Sequence, residues 1–245
     1  METKTGKDLK INGDGSASGG VYEGIKINGS GRINGDVDCE YFKCNGDAKV
    51  IGSVVTQSTK VNGTATVTGN LKTEEFKVTG FFKVGGNVEA KETKINGQAE
   101  LEKNLSADTI EINGELKLTN DCNAETFHTN GAFSIGGLLN AGDVKLKPYG
   151  PCKVKEIGCE KIDVRRGNAF NIRSIITSVF PSYDSKTALT VETIEGDDIY
   201  LENTKAKVVR GNNVEIGTGC NIELVEYKTS YSKTDDAVVK EEKKV

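Results

Sequence analysis

Several things are scarce in this chain. Among its 245 residues there are three prolines, one histidine and no tryptophan. The single histidine, His128, has no second histidine and no nucleophile pattern near it, so neither a catalytic nor a metal role is expected of it. No apolar run approaches the ~18 residues needed to cross a membrane. The opening METKTGKDLK lacks the apolar stretch of a secretory signal. The expected location is therefore the cytoplasm, with the inner face of the membrane as a second place, and the six cysteines are expected as reduced thiols. There is no C-x2-C pair to suggest a metal kit. Nothing resembles a phosphate loop, so no cofactor is expected. Basic excess is also missing: the net charge is −4, which argues against a nucleic-acid partner.

What the chain has is glycine, 29 in all, and much of it is periodic. Steps of 17 residues from Gly29 reach Gly46, Gly63, Gly80, Gly97, Gly114 and Gly131. Asparagine precedes each of these except Gly80, where Thr79 stands. Apolar residues keep the same phase. Four after each glycine come Ile33, Val50, Val67, Val84, Leu101, Leu118 and Ile135. Two before it come Ile27, Cys44, Val61, Val78, Ile95 and Ile112. Each unit thus offers three short segments that alternate with the period of a strand. Hairpins built from such short pieces would be poorly specified, whereas a coil stacks each segment on its equivalent one unit later. The expected fold is an all-β, right-handed parallel β-helix with three sides and 17-residue coils, in which Asn-Gly corners use the positive φ that glycine tolerates. Most of the cysteines, Cys39, Cys44, Cys122, Cys152, Cys159 and Cys220, fall on inward columns and are read as core filler.

The organisation follows from where the phase holds. A polar N-terminal stretch covers 1–8, and the main coil covers 9–166 with a small insertion at KPYGP. A different segment covers 167–190, where Ile172, Ile175, Ile176, Val179 and Phe180 have helical spacing and predict a helix over 169–180. Further coils of about 15 residues cover 191–227, and a charged, unstructured tail covers 228–245. Phe170 and the five apolar residues just named are the candidates for a partner or membrane contact.

The end coils of such a stack expose backbone groups and an apolar cross-section. At the N-terminal end Leu9, Ile11, Ala17 and Val21 are the candidate polymer contacts. At the other end the candidates are Val214, Ile216, Ile222 and Leu224. A lysine column, Lys26, Lys43, Lys60, Lys77 and Lys94, is read as a mixed-charge face neutralised by nearby glutamates. The pair Asp197-Asp198 follows Gly196 and is read as a turn.

The repeated KING and ING coils with their Gly-x5-Gly spacing resemble the bactofilin family, over roughly Leu9 to Val164 and more loosely Val191 to Tyr227. Bactofilins are bacterial, polymer-forming cytoskeletal proteins. The resemblance implies a structural protein that assembles end to end without nucleotide. Its partners would be further copies of itself, then cell-envelope proteins or a membrane surface. Two other readings stand beside it: a monomeric binding module for an anionic polymer or membrane surface, and a carbohydrate-active β-helix enzyme. The uniformity of the repeats disfavours the enzyme, and no catalytic residue is assigned.

Overall fold

The computed structural model describes residues 6–165 and 188–245. The helix expected over 169–180, and with it Phe170, Ile172, Ile175, Ile176, Val179 and Phe180, lies outside the described residues. The described residues form strands and no helix. They divide into two compact units, Met1–Asn120 and Asp121–Val245, and each is a parallel β-solenoid.

In the first unit the coil geometry matches the repeat. Val50 pairs with Val67, Val67 with Val84 and Val84 with Leu101, all in parallel register 17 residues apart. A second ladder runs Ile27, Cys44, Val61, Val78, Ile95, Ile112. A third runs Val37, Val54, Leu71, Val88, Leu105. These files converge on one core, in which every member is essentially buried. Burial of each large aliphatic side chain contributes ~1.5–3 kcal/mol.

Core volume is distributed between coils rather than within them. Phe76 and Phe82 share one coil, with ring centroids 5.5 Å apart in an edge-to-face arrangement. The coil before it places Thr59 and Ala65 at those positions, and the coil after it places Thr93 and Ala99. A bulky layer is thus flanked by two thin ones, and the rings fill the space that their neighbours leave at interior packing density.

The glycine column has a different cause from the one expected. Positive φ occurs at Gly20, Gly35, Gly52 and Gly219, and not along the series from Gly29 to Gly114. There the constraint is close approach. A Cβ on Gly63 would lie 2.1 Å from the Gly46 carbonyl oxygen, and one on Gly114 would lie 1.9 Å from that of Gly97. The preceding asparagines form the expected ladder. The amide of Asn28 donates to Asn12 at 2.7 Å, Asn45 to Asn28 at 2.8 Å and Asn62 to Asn45 at 2.9 Å. Thr79 interrupts the ladder, and Asn113 to Asn96 at 3.1 Å resumes it.

In the second unit the coils vary in length. Phe133 pairs with Cys152, which accommodates the KPYGP insertion. Leu189 pairs with Thr204, a coil of 15 residues. Single strands such as Cys152–Val164 and Thr204–Ile216 bend around the corners of a coil without interruption.

The run from Lys228 differs from the tail expected there. Strand Asn221–Lys233 continues through it, and strand Val238–Lys244 pairs in parallel beyond it, with Ile222 opposite Val239 and Val225 opposite Glu242. Backbone pairing to a formed coil supplies the order, which the polar side chains of this segment do not require burial to gain. Two core positions also shift. Val209 and Val225 are buried, whereas strict alternation from Ala206 and Ile222 would put Val208 and Leu224 inside; the corner between Ala206 and Val209 reverses the parity.

Candidate functional site

Among the described residues no group of histidine, cysteine and acidic side chains is placed to hold a metal. The cysteines behave as buried apolar groups. Burial pushes the Cys122 and Cys152 thiols up to about 12, and those of Cys44 and Cys220 up to about 11. His128 contacts Asp143 at 3.1 Å beside Lys145, a half-buried polar cluster with no serine, threonine or cysteine nucleophile in it. Asp197 and Asp198 each accept a hydrogen bond from the next coil, from Asn212 at 2.6 Å and Asn213 at 2.8 Å, so the carboxylates serve the stacking.

The lysine column is largely paired. Lys60 and Lys77 share the Glu75 carboxylate, at 3.1 and 2.5 Å, and Lys94 meets Glu111 at 2.9 Å. Hydrogen bonding from Lys77 holds Glu75 down to about 2; burial pulls the other way, and Ser58 and Lys60 reinforce Lys77. Lys26 and Lys43 carry no ion pair among the described residues.

The ends of the two units differ in chemistry. At the N-terminal edge, strands Leu9–Ile11 and Asp14–Val21 pair, among the described residues, only on the side of the following coil. The inward files end there in apolar or small residues: Leu9 under Ile25, Ile11 under Ile27 and Ala17 under Ile33. Leu9 and Ala17 are half-buried, while Ile11 is 7% exposed. Val21 departs from expectation. The register shifts between Ser18 and Gly20, so Gly20 lies against Val37, while Val21 pairs with Asp38 and is 59% exposed. The physical reason is a bulge: the second coil has one residue more around Gly35, whose φ is 115°. Asn12 accepts from Asn28, and its own amide donors meet no acceptor among the described residues. A Cβ on Gly13 would find open space.

The C-terminal edge corrects the sequence reading. Val214, Ile216 and Ile222 are buried, covered by Tyr231, Lys233 and Val239 respectively, and Leu224 pairs with Glu241. Val214, Ile216 and Ile222 are core rather than interface, and Leu224 is half-buried outside the core file. The edge that remains is strand Val238–Lys244, with Lys240, Glu241, Glu242, Lys243 and Lys244 exposed. The file through Val209 and Val225 ends in Glu242, and the one through Ile216 ends in Lys233. Charge at the end of apolar files is a common protection for a sheet edge. Sequence reasoning missed this device because a run of charge reads as solvated chain.

The geometry defines a parallel β-solenoid protein with extended faces and ends and no enclosed catalytic constellation among the described residues. The chain belongs to the family of the uncharacterized protein YhbE of Bacillus subtilis (strain 168). The two are 59% identical over 234 residues, covering 94% of this chain and 95% of YhbE. It is also similar to the uncharacterized protein YhbF of the same organism, 39% identical over 110 residues, or 44% of this chain and 42% of YhbF. No family model and no solved structure matches it.

Proposed function

We propose that the protein is a structural scaffold of the bactofilin kind, a right-handed coil that assembles end to end into filaments without nucleotide. In this reading it acts in the cytoplasm or at the inner face of the membrane, where it organises envelope proteins, and it catalyses nothing. The observation that carries the reading is the N-terminal edge. Among the described residues two strands there are paired on one side only, and the apolar files end in the uncharged side chains of Leu9, Ile11 and Ala17. An unpaired strand edge over an apolar cross-section is a template for another chain. Growth past a pair of subunits requires a second joint; the charged strand Val238–Lys244 resists indiscriminate strand pairing, so in this reading that joint is electrostatic.

Negative-stain electron microscopy and sedimentation velocity of the purified full chain test this reading. Filaments or concentration-dependent oligomers are expected. Ile11→Lys should abolish them while leaving the β signal in circular dichroism intact. A wild-type protein that stays monomeric at all concentrations and salts would refute the proposal.

A further inference from the structure

One side face of the second unit is a trough of about 700 Å³. Its floor is formed where Ile135, Val154, Val191 and Ala206 turn into the core. Between these inward residues, exposed side chains project in two files. The outer file neutralises itself: Lys207 meets Glu192 at 3.0 Å, Lys240 meets Glu223 at 3.5 Å and Lys155 meets Glu156 at 3.3 Å. The inner file holds no acid. It runs Ser134, Lys153, Thr190, Lys205, Asn221 in direct register. Lys153 and Lys205 are exposed and make no ion pair or hydrogen bond among the described residues. They stand two coils apart, about 9.5 Å at one strand spacing per coil, with the Thr190 hydroxyl between them.

We propose that this trough binds a linear anionic polysaccharide, with carboxylate groups on Lys153 and Lys205 and sugar hydroxyls on Thr190 and Asn221. Five lysines against Glu192, Glu223 and the Glu156 that pairs with Lys155 leave the trough a net positive field that attracts such a chain. The alternation of a cation with a neutral hydrogen-bonding residue fits a polymer that carries acid groups at intervals and hydroxyls between them. Nucleic acid fits less well, because no aromatic side chain lines the trough for bases to stack on. A bilayer also fits less well. The surface is concave, and the apolar residues that line it are buried, so nothing is available to insert. This inference does not rest on assembly, so the Ile11→Lys variant should bind as the wild type does.

Hyaluronate oligosaccharides, linear with a carboxylate on every second sugar, are the probe. Fluorescence anisotropy with the full chain should show saturable binding that weakens as salt rises. Replacing both inner-file lysines, Lys153→Gln with Lys205→Gln, should weaken it roughly tenfold, as the loss of two exposed ion pairs allows. Lys26→Gln with Lys43→Gln, on the first unit, should leave it unchanged. Three results would overturn the proposal: no binding, equal loss from the two double variants, or equal or tighter binding of oligothymidylate or phosphatidylserine vesicles.

Discussion

At the scale of single residues, two positions test the packing argument in opposite directions. A methyl group on Gly63 would meet the Gly46 carbonyl at 2.1 Å and the Asn45 carbonyl oxygen at 2.6 Å, both backbone atoms of the coil beneath, with no flexible group to yield. Gly63→Ala is therefore expected to destabilise the fold by at least about 2 kcal/mol, from steric overlap at a stacked corner. Chemical denaturation reads this directly. Thr93 presents the converse case. It is 2% exposed, and its hydroxyl has no hydrogen-bond partner among the described residues. Thr93→Val keeps the shape and removes an unpaired polar group, so a gain of about 1 kcal/mol is expected. A loss in the same measurement would mean that the hydroxyl is satisfied after all. The glycine period was plain in the sequence, but its cause was not. Asn-Gly suggests a left-handed turn when neighbours are unknown, and only stacking reveals that the side chain is excluded by the coil beside it.

At the scale of elements, ion pairs clip successive strands together. Glu75 on strand Glu75–Val78 is held by Lys77 beside it and by Lys60 and Ser58 on strand Val54–Val61. Its carboxyl is lowered from 4.5 to about 2. A depressed carboxyl stabilises the fold fully above its ordinary range and loses that contribution as pH falls toward the folded value. Between about pH 4.5 and 2, the wild type should therefore lose more stability than Glu75→Gln, as read by urea midpoints across pH; parallel curves would remove Glu75 from the account. Elements were legible wherever the repeat held, because a file such as Val50, Val67, Val84 repeats both residue type and phase. They were less legible where the coil changed length. Leu224 continues the alternation from Ile222, yet the corner between Ile222 and Val225 puts Val225 inside. Strand Val238–Lys244 was not legible, since an edge strand needs few inward apolar residues and this one offers mainly Val239.

For the whole molecule, the two kinds of edge should respond differently to salt. The edge at Leu9 and Ile11 is apolar, whereas the one at Val238–Lys244 carries charge of both signs. Raising ionic strength screens exposed charges and leaves apolar burial intact. Sedimentation should show long polymers at low salt and a small discrete oligomer at high salt. Polymers of equal length under both conditions would contradict the proposed division between joints. Gly13 extends this to a single atom. From Gly29 to Gly114 each glycine of the column is forbidden a side chain by the turn beneath it, yet a Cβ on Gly13 meets nothing among the described residues. An alanine placed there is harmless to a solitary subunit and obstructive only once another chain arrives, so Gly13→Ala converts an empty space into a detector of docking. Unchanged melting with shortened polymers would locate the joint at this first corner.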